Sequence, residues 1–378
     1  MKKYIYYIAI LPLFFTACGN DDNANNEEST TISELRFIGE QLIPDGTLFE
    51  GEVVGGLSGI DYANGTYYMI SDAPNALIRF YTATLNFDAE SFSGVTILSQ
   101  EELLDETGNP FEDNQADPEA IRFDPETDNI VWVSEGYTDM DVHPFVREAS
   151  GSGEYIRDIE VPALFQATEA EDQGPRNNGT FEGLSLSANG QGYWVAMELP
   201  LVQDGPAPVH GMDTDSPVRI AYINKGTGEF GRQFAYELDP VTRAGDFTVN
   251  GIVELLEYDE DRFLVLERSF ASGYDDGGNN VRIYNVDARN ATGISSLSAL
   301  EGATYTVAAK TLLFDFESIR SQLATLPGEM EHIVDNIEGI TFGPDLPNGN
   351  KSLVLVADNN FSAFGPQLNQ FIVLEVLP

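Results

Sequence analysis

Thiol sulfur is almost absent: the 378-residue chain has one cysteine, Cys18. With a leader ending there removed, no disulfide, cysteine nucleophile or thiolate metal site is available. Histidine is nearly as scarce. His143, His210 and His332 lie far apart in the chain, which argues against a His-rich zinc centre. Basic residues are few as well: 19 Lys and Arg stand against 62 Asp and Glu, a net charge of −43. Such a surface repels nucleic acid and anionic membranes and attracts cations. No Gly-x-Ser-x-Gly occurs, so the serine-hydrolase elbow is missing, and no His-containing acid-phosphatase signature replaces it. The apolar run at residues 5–15 is too short for a comfortable membrane span.

That run has the form of an export signal. Lys2 and Lys3 precede it, and Phe15-Thr16-Ala17 places small residues before Cys18. The arrangement resembles a bacterial lipobox, in which the cysteine is acylated. Residues 1–18 are therefore expected to be a lipoprotein signal peptide, with Cys18 as the lipidation site. Residues 19–31 (GNDDNANNEESTT) are polar and acidic and read as a disordered tether. Residues 32–378 then form one domain, on a protein expected at the outer membrane (cell surface or periplasmic face). It would touch the membrane only through the Cys18 lipid and stay monomeric.

Within that domain a short pattern recurs five times. The copies are Leu57-Ser58-Gly59-Ile60, Pro118-Glu119-Ala120-Ile121, Phe181-Glu182-Gly183-Leu184, Val249-Asn250-Gly251-Ile252 and Ile337-Glu338-Gly339-Ile340. After each comes an apolar run ending in an acid, at Asp72, Glu135, Glu198, Glu267 and Asp358. Self-similarity at this spacing signals repeated supersecondary structure. Copy three shows the unit best: apolar–polar alternation at 183–187, a turn, and strands at 193–197, 218–223 and 234–238. Four antiparallel strands make one propeller blade. The expected fold is all-β, a five-bladed β-propeller. Copy five has three strands, and the run at 34–43 supplies the fourth, closing the ring by pairing the N- and C-terminal strands. A sixth blade within 287–336 is the alternative, although 316–326 reads as a short surface helix. A pair of β-sandwiches is a further alternative.

In such a blade the start of the first strand and the end of the second meet at one mouth of the ring. Glu119, Glu182 and Glu338 are thereby brought together with Asp72, Glu135, Glu198, Glu267 and Asp358, while Ser58 and Asn250 replace the glutamate in copies one and four. Arg79, Arg147, Arg219 and Arg282 follow at the third strands, and Arg268 and Lys310 complete six bases against eight acids. Surplus buried carboxylates must neutralise, stay wet or hold a cation. Glu–Arg pairs tying blades together are one reading. A hard-cation site, Ca²⁺ by ligand type, is the other. Asp139/Asp141, Asp213/Asp215 and Asp275-Asp276-Gly277-Gly278 are candidates for further cation loops, with plain turns the leading reading.

Several of these pieces resemble one family. They are Gly55-Gly56-Leu57-Ser58-Gly59-Ile60, Asp117-Pro118-Glu119-Ala120-Ile121, Ser134-Glu135-Gly136, Asn178-Gly179-Thr180-Phe181-Glu182-Gly183-Leu184, Leu266-Glu267-Arg268-Ser269, Asn336-Ile337-Glu338-Gly339-Ile340 and Leu355-Val356-Ala357-Asp358-Asn359-Asn360-Phe361. In this order, across about residues 34–377, they are similar to the phytase-like family named for esterase-like activity of phytase. Asp72, Glu119, Glu135, Glu182, Glu198, Arg219, Glu267, Arg268, Lys310, Glu338 and Asp358 fall on its charged motif positions. Ala120 departs from it, since glycine usually follows that glutamate. The resemblance implies hydrolysis of esters or phosphate esters. A metal-assisted phosphoesterase needs no unfamiliar nucleophile. The residues then divide into catalytic Glu119, Glu182 and Glu338; metal-holding Asp72, Glu135, Glu198, Glu267 and Asp358; and substrate-binding Arg79, Arg219, Arg268 and Lys310. Its ligand would be a small anionic or phosphorylated molecule. A non-catalytic surface propeller binding a sugar or peptide is the rival expectation.

Overall fold

The computed structural model describes residues 1, 31–73, 77–168, 172–324 and 332–378. The expected signal segment with Cys18, and the tether up to residue 30, lie outside the described residues. Five four-stranded antiparallel sheets form the fold. Strand β1 (Glu34–Ile43) is followed by a small hairpin, β2 (Leu48–Phe49) and β3 (Glu52–Val53). Blade one holds β4 (Leu57–Ala63), β5 (Thr66–Ser71), β6 (Arg79–Phe87) and β7 (Phe92–Glu102). Blade two holds β8 (Pro118–Asp124), β9 (Asn129–Ser134), β10 (Phe145–Ser150) and β11 (Tyr155–Ile159). Blade three holds β12 (Phe181–Leu186), β13 (Gly192–Met197), β14 (Pro217–Asn224) and β15 (Phe230–Glu237). Blade four holds β16 (Thr248–Asp259), β17 (Arg262–Ala271), β18 (Asn279–Asp287) and β19 (Ala309–Asp315). Blade five holds β20 (Ile337–Phe342), β21 (Lys351–Ala357) and β22 (Asn369–Leu377) and is completed by β1.

The inner strands β4, β8, β12, β16 and β20 neighbour one another in a closed ring, so the architecture is a five-bladed β-propeller. The closure is the expected one. Glu34 pairs with Leu377 and Ile43 with Asn369, and Arg36 holds Glu375 at 2.6 Å. After β18 the described chain has only β19, the outer strand of blade four, and two 3-10 turns, Phe316–Ser318 and Arg320–Gln322, before blade five. The sixth blade is therefore absent among the described residues, and the expected surface helix is this pair of turns.

The core lies between blades, because each sheet is apolar on both faces. Ile70 and Phe80 of blade one meet Ile121, Phe123 and Trp132 of blade two, all buried. Val354, Val356 and Phe371 of blade five meet Leu57, Ile60 and Met69 of blade one. At the axis the inner strands come too close for side chains. A Cβ on Gly59 would stand 2.8 Å from Ala120 Cα, and one on Gly339 would stand 3.0 Å from the Ile60 nitrogen. The glycines after Ser58 and Glu338 thus serve blade packing.

Candidate functional site: an acidic cup on the propeller axis

The recurring acid has a structural cause. In β4, β8, β12 and β20 the pairing register slips by one residue at the motif. The extra residue of each β-bulge is Ser58, Glu119, Glu182 or Glu338. A bulged residue is freed from the ladder and re-aimed. Its counterpart is tied by a backbone hydrogen bond across the strand ends. Asp72 N donates to Gly56 O at 2.6 Å, Glu135 N to Asp117 O at 2.9 Å, Glu198 N to Thr180 O at 2.6 Å and Asp358 N to Asn336 O at 2.9 Å. Four blades therefore present one device to the mouth.

Blade four breaks it. In β16 the slip falls between Ile252 and Glu254, leaving Asn250 opposite Ser269, Gly251 opposite Arg268 and Ile252 opposite Glu267. With strand period two, losing the bulge at the motif exchanges the faces of the strand end. Arg268 enters the cup, and Glu267 does not. Arg268 Nη2 lies 3.2 Å from Glu338 Oε1 and 3.8 Å from Glu198 Oε1. Glu267 instead takes the Tyr236 hydroxyl at 2.5 Å, Lys310 Nζ at 2.7 Å and Asn250 Nδ2 at 2.9 Å.

The cup therefore contains Asp72, Asp117, Glu119, Glu135, Glu182, Glu198, Glu338 and Asp358 around one guanidinium. Asp117 is the acid that the sequence reading quoted but left unassigned. Oxygens of Asp72, Asp117 and Glu119 lie within 4.8 Å of one another, and so do those of Glu119, Glu135 and Glu182. Asn336 Nδ2 donates to Glu338 Oε1 at 3.0 Å, and Asn360 N donates to Asp358 Oδ1 at 2.7 Å. Glu198 Oε2, Arg268 Nε and Asp72 Oδ1 are buried with no hydrogen-bond donor or acceptor in reach of the right kind.

Burial pushes every one of these carboxyls upward, and mutual repulsion adds to it. Glu119 is raised well above the usual range by burial, then by Glu182, Asp72, Asp117 and Glu135. Glu182 is raised by burial, then by Glu198, Glu135 and Glu338, with Arg268 opposing. Asp72, Glu135 and Asp358 follow the same pattern. Glu198 reaches about 7, because burial outweighs the pull of Arg268. Glu338 and Asp117 are raised by burial too. Arg268 is raised: burial works against its charge, but Glu338, Glu198, Glu182 and Asp358 outweigh it.

The cup has a floor. Arg122 in β8 donates to Ile60 O and Ile121 O at 2.7 Å each, Ile340 O at 3.3 Å and Leu255 O at 3.4 Å. It is paired with Glu254 at 2.7 Å, and Glu254 Oε1 accepts from Leu184 N at 2.7 Å and Leu255 N at 3.0 Å. The two side chains thus bridge all five inner strands, two to four residues deeper than the motif acids. The expected channel mouth is a blind cup.

The other expected anion-binding bases lie elsewhere. Strands stand about 4.8 Å apart, so a third strand runs about 10 Å from the inner one. Arg79 is buried against Tyr81 Oη at 2.6 Å and the carbonyls of Leu77 and Val53 at 2.9 Å. Arg219 holds Asp204 through two hydrogen bonds, 2.6 and 2.9 Å, with neither side chain exposed. Lys310 pairs with Asp239 at 2.6 Å and Glu267 at 2.7 Å, beneath the Tyr236 and Tyr284 rings. Arg147 pairs with Asp158, and Arg282 with Asp315. Of the acidic loops, Asp213 and Asp215 gather with Glu237, and Asp276 pairs with Arg243.

Among solved structures, the chain is similar to a GH43 β-1,3-galactosidase with galactodeoxynojirimycin: 12% identity, TM-score 0.43, 89% of this chain and 95% of that one. It is similar also to an endo-arabinase from Bacteroides thetaiotaomicron, at 11% identity and TM-score 0.44, over 86% of this chain and 95% of that one. An endo-1,4-β-xylanase from the same organism gives 10% identity and TM-score 0.44 over the same shares. No curated protein matches. The sequence profile described as "Phytase-like: Esterase-like activity of phytase" matches residues 52–361, a span that includes the four motif bulges and every acid of the cup. The chain belongs to the phytase-like family.

Proposed function

We propose that the protein is a divalent-cation-assisted phosphate-ester hydrolase working at the acidic cup. The supporting observation is the pair of carboxylate groups whose oxygens lie within 4.8 Å of one another, beside buried oxygens that lack any partner. These groups contain oxygen donors alone, which suits Ca²⁺. Asp72, Asp117, Glu119, Glu135 and Glu182 would hold it. A bound cation would polarise a phosphoryl oxygen and acidify a water. Arg268 reaches the cup and would hold the anion, with Glu198 and Glu338 fixing its plane. Glu198, near 7, is matched to proton transfer at neutral pH. Glu338, outside both carboxylate groups and raised by burial, would carry a proton for the leaving group.

Phosphate release from phytate, nucleotides and aryl phosphates tests this, measured after chelation and after calcium is restored. Calcium-dependent turnover is expected. No turnover, with melting unaltered by chelator, would overturn it. One observation favours the rival, a non-catalytic propeller binding a sugar or peptide: only Arg268 among the expected anion-binding bases reaches the cup. Turnover decides between the two. We further infer export of a monomeric chain as a lipoprotein anchored through Cys18, for which metabolic labelling with a fatty acid, lost in Cys18→Ser, is the test.

A further inference from the structure

The geometry points to two cation positions in the cup that share Glu119 as a common ligand. Calcium takes oxygens at about 2.3–2.6 Å, so two oxygens on one ion can stand at most about 5 Å apart. Both carboxylate groups meet that limit, and they have only Glu119 in common. Asp72 comes from blade one and Glu182 from blade three, while Asp117, Glu119 and Glu135 all come from blade two. A carboxylate has two oxygens and can face an ion with each. Two-cation sites in which ligands are shared have ions about 3.5–4 Å apart, which one carboxylate spans.

A single ion would leave one group to be relieved by protonation alone. Glu119 feels repulsion from Glu182 on one side and from Asp72 and Asp117 on the other. Arg268 ion-pairs with Glu198 and Glu338, which are members of neither group. Two unpartnered buried groups mark the two halves independently. Asp72 Oδ1 belongs to the first group. Glu198 is 1% exposed, its Oε2 has no partner, and it raises both Glu182 and Glu135 of the second. The cup is thus polarised, with cations over blades one to three and a guanidinium from blade four. A bound anion would lie between them.

A shared ligand presupposes the cation-binding cup proposed above but not its chemistry. The test is calcium stoichiometry on the purified protein by elemental analysis and titration calorimetry, with folding checked by circular dichroism. Two ions per chain are expected. Glu182→Gln should retain one, Glu119→Gln should lose at least tenfold in affinity at both positions, and Glu338→Gln should keep two. One ion in the unaltered protein, or two in Glu119→Gln, overturns the shared ligand. Two ions without any turnover would remove the hydrolase and leave the pair standing. Turnover with one ion would do the reverse.

Discussion

Replacing Arg122 by Met isolates what the floor of the cup contributes. The side chain is 2% exposed and Glu254 is 0% exposed, with 2.7 Å between the charged groups. The substitution leaves Glu254 in the ring with two backbone donors and no counter-charge. Breaking a buried pair from one side costs about 3–5 kcal/mol. Unfolding entropy for a domain of this length is about 0.7 kcal/mol per kelvin, so melting should fall by about 4–7 °C. The double variant Arg122→Met with Glu254→Leu removes both charges, and such replacements are often neutral. It should recover at least half of the loss, so the double variant costs less than the two single variants summed, and that difference is their coupling energy. Calorimetric melting of both single variants and the double variant measures this. If the double variant melts as low as the sum of the singles, the two side chains act separately, and the bridging floor is refuted.

In chelator, stability should fall as pH rises from about 5 to 8. Glu198 has a folded value of about 7 against an ordinary 4.5, so across that window the folded chain holds a proton that the unfolded chain lacks. Its contribution is complete below 4.5 and lost as pH passes 7; calcium should flatten the slope, and a melting temperature rising with pH in chelator contradicts the assignment. Gly59→Ala places a methyl 2.8 Å from Ala120 Cα and Glu119 O. It should cost about 1–3 kcal/mol in urea unfolding and weaken calcium binding. Arg219→Lys breaks a two-point contact with Asp204 and should lower stability by about 2 kcal/mol. Calcium stoichiometry should be unchanged; a loss of bound calcium with stability intact would return Arg219 to the site.

The ring was legible because each blade repeats one alternation, and because the run at 34–43 had no partner other than blade five. The acids of four blades were legible for the same reason. Glu267 was not, since its face depends on where a bulge falls, and Val253 takes the extra position three residues beyond the motif. Arg79, Arg219 and Lys310 share the motif's rhythm but stand on outer strands, where local acids and carbonyls satisfy them. Asp117 had a signal after all: it lies two residues before Glu119, as Asn336 lies two before Glu338. Arg122 and Glu254 had none, because nothing local distinguishes a charged residue at the axis from one facing solvent.

Strand β1 pairs with β22, the first strand of the fold with the last. An emerging chain therefore carries β1 unmatched until β22 has been made. Blade five and the seams on both sides of it form late, through contacts of very high sequence separation, which slows folding. Until then two sheet edges stay open to neighbouring chains. Strand β22 acts as a latch that decides when the cup becomes a single rigid object, and a chain halted before residue 369 has four blades and no enclosed site.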